Sequence, residues 1–312
     1  MRRRALRVVV LITVASAVTP AAAAGASNGM IAFDVVQAEE TCDQCGPNGE
    51  SESVGGGSRT WLVRPDGSRL HRLPCSSDGR CRSSRPAFSN DGRRLAVHRG
   101  LGVALMTARG RELRRIEPFG WSPAWAPRGK RLAFGSSYPL PGNQHAFAIS
   151  VSDLSGGEAR RVYKDVGFAW DVAWSRQGKL GWAVSHEDVG SRNGIWVGDP
   201  AGGRKKHVSS AGHYLAWSPD GSRIAFLTYR ALNVVDADGG RRRVLTRVCQ
   251  VGYEDEGGVA WSPDGREIAC LSRRGNLVVL NLPKMTLRAV ATWRGFGEGS
   301  VGDISWQPVP GH

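Results

Sequence analysis

The stretch Tyr214–Thr228, YLAWSPDGSRIAFLT, returns 44 positions later with few changes, as GVAWSPDGREIACLS at Gly258–Ser272. In each copy the tetrapeptide Ser-Pro-Asp-Gly separates two short apolar runs. Serine and proline suit the first two positions of a type I turn, and aspartate and glycine suit the last two. Two apolar runs joined by such a turn are typical of a β-hairpin. Each copy therefore predicts two antiparallel strands.

The same hairpin recurs along the chain, with an aromatic residue near the end of its first strand. The aromatic residues are 37 to 49 positions apart, and they are Phe88, Trp125, Trp174, Trp217, Trp261 and Trp306. A second predicted hairpin follows the first, as in LNVVDADGGRRRVLT at 232–246. Four short antiparallel strands repeated about every 40–50 residues are typical of a β-propeller blade. We name these strands A to D.

The two ends of the chain supply complementary parts of one further blade. The segment NGMIAF at 28–33 has a strand B with no aromatic strand A before it, and DISWQPVPGH at 303–312 has a strand A with nothing after it. Pairing them closes a ring, whereas a solenoid would need polar caps at both ends. The sequence therefore predicts an all-β fold over residues 27–312. It is a six-bladed β-propeller of four-stranded antiparallel blades, with one blade closed by the N- and C-terminal strands.

The pair AWSPDGSRIAF and LNVVDADGGRRRVLT resembles the WD40-like (PD40) propeller repeats of the TolB family. The resemblance covers about residues 28–310, and it implies the fold but very little about activity. In TolB itself an α/β domain precedes the propeller. We expect no such domain here, so a role in the Tol–Pal system is not carried over. We also expect no hydrolase domain of the prolyl-oligopeptidase kind after the propeller.

Residues 1–26 have the layout of a secretory signal peptide. Four arginines precede an apolar run through Val18, and small residues follow, which predicts cleavage after Ala24 or Ala26. A retained membrane anchor is the alternative, although the run is short for a membrane span. We therefore expect an exported protein of the periplasm, the cell envelope or the extracellular space.

The chain is strongly basic. Its formal net charge of +14 falls to about +10 when the four leader arginines are removed. Export argues against nucleic acid as a partner, and it leaves anionic envelope polymers, lipid headgroups and acidic proteins.

Six cysteines in an exported chain favour disulfide bonds. They are Cys42, Cys45, Cys75, Cys81, Cys249 and Cys270. We predict a bond between Cys249 and Cys270, and pairing within the first four. A zinc site or a redox-active pair is the alternative for the Cys-x-x-Cys at 42–45. The lack of a second such motif and of a thioredoxin-like pattern argues against both.

The connections between strands predict two unlike faces. The A–B and C–D turns are short and uniform, whereas the B–C and D–A connections on the opposite face vary in length. Long B–C insertions are predicted at 35–59, 135–145 and 185–193, and long D–A insertions at 74–84, 247–258 and 291–302. Insertions on one face of a repeat array indicate a binding face, with neutral drift of loops as the alternative. We expect a protein partner on this face, and a monomer.

Residues three positions before each aromatic residue are predicted to converge on the mouth of the central channel. They are Arg85, Ser122, Asp171, Tyr214, Gly258 and Asp303, with His213 beside them. These residues are candidates for holding a small ligand or an ion. The alternative is a solvated rim around a water-filled channel. The pattern predicts no resident metal and no cofactor.

The sequence contains no G-x-S-x-G elbow, no H-E-x-x-H helix and no P-loop. We therefore expect a non-catalytic binding or scaffold module that mediates protein–protein interaction. Two alternatives stay open. One is a propeller enzyme, a lyase or hydrolase, with its site at the channel mouth. The other is binding of anionic cell-wall polymer by basic clusters near strand D, such as RELRR at 111–115, although charge on an edge strand also discourages aggregation.

Overall fold

The computed structural model describes most of the chain between Gly29 and Pro308. The described residues are 29–37, 40–42, 52–54, 57–74, 84–99, 102–117, 120–142, 144–154, 158–164, 168–185, 193–252, 257–292 and 300–308. The predicted signal segment lies outside them. Within these ranges the regular structure is all β, and no helix is present that is long and apolar enough to cross a membrane.

The strands are numbered along the chain. They are β1 (Ile31–Gln37), β2 (Glu40–Cys42), β3 (Glu52–Val54), β4 (Gly57–Val63), β5 (His71–Arg72), β6 (Ser84–Phe88), β7 (Arg94–Arg99), β8 (Gly102–Thr107), β9 (Glu112–Glu117), β10 (Gly120–Trp125), β11 (Leu132–Leu140), β12 (Gln144–Ser152), β13 (Arg160–Lys164), β14 (Phe168–Trp174), β15 (Leu180–Ser185), β16 (Gly194–Gly198), β17 (Lys205–Ser209), β18 (His213–Trp217), β19 (Arg223–Thr228), β20 (Ala231–Asp236), β21 (Arg243–Thr246), β22 (Val259–Trp261), β23 (Glu267–Leu271), β24 (Leu277–Asn281), β25 (Thr286–Ala291) and β26 (Ser300–Trp306).

These strands form six four-stranded antiparallel sheets, which confirms the predicted six-bladed propeller. Blade 1 contains β26, β1, β4 and β5 in that order, and blades 2 to 6 contain β6–β9, β10–β13, β14–β17, β18–β21 and β22–β25. Blade 1 combines the two ends of the chain as predicted, since Ile31 pairs with Trp306. Gln307 strengthens this closure: its Oε1 accepts from the Met30 amide at 2.9 Å, and its Nε2 donates to the Gly92 carbonyl of blade 2 at 2.7 Å.

The Ser-Pro-Asp-Gly turn between β18 and β19 is held by its own side chains. The Gly221 amide donates to the Ser218 carbonyl at 2.8 Å, which closes the turn. Ser218 Oγ donates to Asp220 Oδ1 at 2.5 Å and accepts from the Arg223 amide at 3.0 Å. The hydrogen bond from Ser218 lowers the pKa of Asp220. The same serine–aspartate contact recurs as Ser89–Asp91 and Ser262–Asp264.

The aromatic residue near the end of strand A packs between its own blade and the previous one. Trp217 is 9% exposed, in a cluster with Ala183 and Ile195 of blade 4 and Ile224 of blade 5. Burying a side chain of this size is worth roughly 3 kcal/mol, and a single isolated blade cannot supply the cover. The blades therefore stabilise one another in sequence around the ring.

Two of the predicted B–C insertions are β-structure rather than loop. In 35–59, β1 and β4 stay paired out to Gln37–Gly57, and β2 and β3 form a second hairpin. In 135–145, β11 and β12 stay paired out to Leu140–Gln144. The two predicted insertions therefore extend the strands of their blades, and the paired strands satisfy backbone groups that a loop would leave to water. Large parts of the other four insertions lie outside the described residues. These parts are 75–83, 186–192, 253–256 and 293–299.

A disulfide joins Cys249 to Cys270, as predicted, with the two Cα atoms 5.9 Å apart. It ties the connection that follows blade 5 to β23 of blade 6. The same connection is held by the Val251 amide, which donates to the Thr228 carbonyl at 3.0 Å. Pairing of the other four cysteines stays a prediction, since Cys45, Cys75, Cys81 and the side chain of Cys42 lie outside the described part of the chain.

The paired substitution Cys249→Ala and Cys270→Ala should lower the free energy of unfolding by about 3 kcal/mol. The bond closes a loop with a sequence separation of 21 and so restricts the unfolded chain. Urea denaturation followed by tryptophan fluorescence measures the difference. A reductant should bring wild type close to the variant. A gap that persists in reductant would assign the loss to the packing of the two buried side chains instead.

Candidate functional site

Residues of the six A strands line a cavity of about 230 Å³ on the axis of the ring. The six residues predicted to converge there all line it: Arg85, Ser122, Asp171, Tyr214, Gly258 and Asp303. His213 is directed elsewhere, because its ring packs edge-on against Tyr229 with the ring centroids 5.0 Å apart. The role of these residues toward a ligand stays a prediction.

A β-bulge near the start of strand A directs several of these side chains to the axis. The pairing of strands A and B shifts register at Ser84–Ala87, Trp121–Ala124 and His213–Leu215. One residue in each bulge has a positive φ, with 53° at Arg85, 48° at Ser122 and 50° at Tyr214. This conformation costs a residue other than glycine roughly 1–2 kcal/mol. Bulges often re-aim side chains beside functional sites, and all three strained residues line the cavity.

Arg85 is the cation of this cavity. Its Nε lies 3.5 Å from Asp303 Oδ2, and its Nη1 donates to Ser122 Oγ. Burial opposes the guanidinium charge, but the surrounding acidic groups, Asp303 foremost, raise the pKa of Arg85. The side chains of Arg85 and Asp303 keep 17% and 16% exposure. A ligand in the cavity can therefore reach both.

Asp171 joins two blades and titrates near neutral pH. Its Oδ2 accepts a hydrogen bond from the Leu215 amide at 2.7 Å, which links blade 4 to blade 5. Burial, followed by the charge of Asp303, raises the pKa of Asp171 from 3.8 to about 7. A carboxyl with such a pKa exchanges its proton at neutral pH, as a general acid or a proton-coupled binding group must.

Asp34, in β1, is a further carboxyl of the cluster, and the sequence patterns did not single it out. It is 3% exposed, and its Oδ1 has no hydrogen-bond partner among the described residues. A Cβ at Gly302 would come within 2.8 Å of that oxygen, so only glycine fits beside it. Burial, and then the charge of Asp303, raise the pKa of Asp34 well above its ordinary value. One feature of the sequence could have identified this residue. Asp34 occupies the position in strand B at which other repeats have an apolar residue, Leu227 or Leu271.

His98 occupies the same repeat position in blade 2 and lies at the edge of the cluster. Its Nδ1 is 3.3 Å from Ser84 Oγ. Burial and the charge of Arg85 lower the pKa of His98, so the ring is neutral at pH 7. Among the described residues, the cluster therefore contains three carboxyls, those of Asp34, Asp171 and Asp303, and one guanidinium, that of Arg85. When all four groups are ionised, their net charge is −2. No three His, Cys, Asp or Glu side chains in the described ranges are arranged to hold a metal ion.

Tryptophan side chains line the cavity beyond this charged cluster. Trp125 Nε1 donates to the Ala87 carbonyl of the preceding blade at 2.9 Å. The Nε1 atoms of four equivalent residues have no acceptor among the described residues, and these are Trp174, Trp217, Trp261 and Trp306. All four line the cavity. The cavity wall therefore contains fluorescent side chains close to the charged groups.

Structural comparison supports the fold. A chain of a nidogen–laminin complex matches with a TM-score of 0.62 at 10% identity, over 88% of this chain and 98% of that chain. A TolB-like protein from Agrobacterium tumefaciens matches with a TM-score of 0.52 at 16% identity, over 77% of this chain and 96% of that one. An oligogalacturonate lyase in complex with manganese matches with a TM-score of 0.53 at 15% identity, over 77% and 73%. The chain is a six-bladed β-propeller.

These likenesses are too distant to carry a function. The propeller is similar both to a TolB-like protein and to a lyase, and at such identities the match establishes the fold alone. No protein-family model matches the sequence, and no curated protein matches it. Membership of the TolB family therefore stays a prediction from the repeat motifs.

The substitution Asp171→Asn should flatten the dependence of stability on pH. A carboxyl with a raised pKa in the folded state stabilises the protein fully below its unfolded pKa, and this contribution is lost as pH rises through the folded pKa. For Asp171 the window runs from near 3.8 to about 7. Across this window the wild-type protein should lose on the order of 2 kcal/mol of its free energy of unfolding, because solvent in the cavity screens part of the pKa shift.

Urea denaturation at a series of pH values measures that slope. Asparagine keeps an oxygen acceptor for the Leu215 amide, so the hydrogen bond between blades 4 and 5 is kept in the variant. The control is Asp199→Asn, at an exposed carboxylate 2.7 Å from Lys179 Nζ, and it should keep the wild-type slope between the same limits. Equal slopes in all three proteins would show that Asp171 titrates as an ordinary carboxyl.

Proposed function

We propose that the protein is a non-catalytic binding module that accepts a positively charged group of a partner in the axial cavity. The observation that carries this proposal is the group of three carboxyls around one guanidinium, in which Asp171 and Asp303 line the cavity with Arg85, while Asp34 is buried outside the lining. Buried charges require compensation, and Arg85 compensates one carboxylate. Protons supply the remainder in the free protein, in agreement with the raised pKa values of Asp34 and Asp171. An entering cation takes the place of those protons.

A lysine side chain or the amino terminus of a partner protein has the required chemistry, since an ammonium group donates three hydrogen bonds. The cavity of about 230 Å³ suits a side chain rather than a folded element. Its lining extends from the charged cluster along the A strands to Asn90 in the A–B turn of blade 2 and to Pro308 after β26.

An exported location is part of the proposal. The buried disulfide between Cys249 and Cys270 supports it, because such bonds are rare in reducing compartments. Binding of an anionic polymer in the cavity is disfavoured, because the excess carboxylates would repel it. We propose no resident cofactor.

Titration calorimetry with a blocked glycine–lysine–glycine peptide tests the proposal. The wild-type protein should bind this peptide and release protons, so its affinity should rise with pH from about 5 to about 8, where the carboxyls ionise. Asp303→Asn and Asp171→Asn should each weaken binding by roughly tenfold, the value of one charge-assisted hydrogen bond. Quenching of the cavity tryptophans gives a second readout.

The matched control for this titration is again Asp199→Asn, which removes an exposed carboxylate far from the axis and should leave affinity unchanged. A blocked glycine–glutamate–glycine peptide should not bind. Preference for the glutamate peptide would contradict the proposal, and so would wild-type affinity in both cavity variants.

An acid–base enzyme is the second candidate, and the pKa of Asp171 near 7 is the observation that favours it. Arg85 and Tyr214 line the same cavity and would stabilise charge that develops on a substrate. The excess of carboxyls disfavours a polyuronate. Incubation with neutral and uronic polysaccharides, followed by ultraviolet absorbance of unsaturated products, separates the candidates. We expect no turnover, and turnover abolished by Asp171→Asn would establish the enzyme instead.

A further inference from the structure

The A–B and C–D connections form the face of the ring opposite the B–C and D–A connections, and in blades 2 to 4 this face is basic. We name the connections of these three blades the basic arc, and they are 89–93, 108–111, 126–131, 153–159, 175–179 and 199–204. They contain nine lysine or arginine residues and four aspartate or glutamate residues. None of these charged residues lines the axial cavity.

The cations of the basic arc are exposed, and most of them have no ion pair in the described part of the chain. The exposed residues without an ion pair include Arg93, Arg109, Arg111, Arg128, Lys130 and Arg176. Lys179 differs, since its Nζ lies 2.7 Å from Asp199 Oδ1. The arc therefore presents positive charge to solvent.

The excess of positive charge does not depend on residues that the structure leaves undescribed. Three such segments adjoin this face in sequence, 1–28, 155–157 and 309–312, and none of them contains aspartate or glutamate. The other undescribed segments belong to B–C or D–A connections, which join the opposite ends of the strands. Typical strands are roughly 17–20 Å long. Acidic side chains of those connections are therefore at the far end of the blades.

The turns of the basic arc are tied to one another. The Gly129 amide donates to the Ala126 carbonyl at 2.8 Å and closes the A–B turn of blade 3. Asn90 Nδ2 of blade 2 donates to the same carbonyl at 2.7 Å. The Arg131 guanidinium carbon lies 5.3 Å from the centroid of the Trp174 ring in blade 4. Because these turns are already ordered, a ligand loses less conformational entropy on binding to them.

The composition of the arc restricts the kind of partner. It contains no aromatic residue, and Leu154 is its only large apolar residue. A single-stranded nucleic acid would find no side chain on which to stack its bases. A typical protein interface needs an apolar centre, which the arc lacks. Recognition here must rest on charge.

The rest of the same face disfavours a flat anionic surface such as a membrane. The corresponding connections of blades 5 and 6 contain four cations and three carboxylates, so their charges almost cancel, and they are 218–222, 237–242, 262–266 and 282–285. A membrane would meet all six blades together, including these carboxylates. A linear chain can follow blades 2 to 4 alone. Packed sheets lie roughly 10 Å apart, so the arc extends over at least about 20 Å.

We infer that the basic arc binds a linear anionic polysaccharide. An exposed ion pair contributes at most about 1 kcal/mol, so a small anion on one turn would be held weakly. A polymer contacts the cations of three blades at once and releases its own counterions as it binds. The planar guanidinium groups of the arginines match the geometry of its carboxylates.

Fluorescence anisotropy with dye-labelled alginate, which has one carboxylate on each sugar, tests the inference on the full chain with its disulfide intact. The wild-type protein should bind alginate, and its affinity should fall as salt is raised. The triple substitution Arg93→Gln, Arg128→Gln and Arg176→Gln removes one exposed cation from each blade of the arc. It should weaken binding roughly tenfold and flatten the salt dependence, since each lost contact is worth a fraction of a kcal/mol.

The matched control removes three exposed cations from the same face of blades 5 and 6, by Arg241→Gln, Arg266→Gln and Lys284→Gln. This variant has the same net charge as the first and should bind alginate as wild type does. Asp303→Asn should also bind alginate normally, because the arc does not depend on the axial cavity.

Three results would overturn the inference. The first is no binding of alginate by the wild-type protein at low salt. The second is an equal loss of affinity in the two triple variants, because total charge rather than the arc would then hold the polymer. The third is retention on phosphatidylserine vesicles without binding of alginate, which would assign the face to a membrane.

Discussion

A four-stranded blade carries apolar side chains on both faces, and it can bury them only between two neighbours. Every other feature of this molecule depends on that constraint. Trp217 is covered by blade 4 on one side and by its own blade on the other. An open row of blades would leave two such faces in water, and a closed ring leaves none. The ring therefore requires that β26 join β1, which is why the two ends of the chain share blade 1.

Ring closure also decides where chemistry can be located. All six A strands face the axis, so the residues at their starts meet although they are distant in sequence. The bulges at Arg85, Ser122 and Tyr214 direct polar side chains to the axis. The regular alternation of side chains along a strand would not direct them there.

The repeat made the fold predictable, because the Ser-Pro-Asp-Gly turn predicts a hairpin and the aromatic residue at the end of strand A predicts a side chain that a neighbouring blade must cover. Convergence at the channel mouth was predictable for the same reason, since it follows from topology. The sequence did not reveal the contact of His213 with Tyr229, because the bulge at His213–Leu215 places Tyr214, and not His213, in the cavity lining. Asp34 was missed because its raised pKa comes from burial and then from the charge of Asp303 on another strand, and a single repeat reveals neither.

Blade 1 has a consequence for the order in which the protein folds. The hydrogen bond from the Met30 amide to Gln307 joins residues 277 positions apart. Contacts of such high sequence separation form late, because the chain must first lose the entropy of a long loop. Blades 2 to 6 are contiguous hairpins and can assemble as soon as their strands exist. Strand β1 can pair with β26 only after the strands of blades 2 to 6, which lie between them in the sequence, have been synthesised.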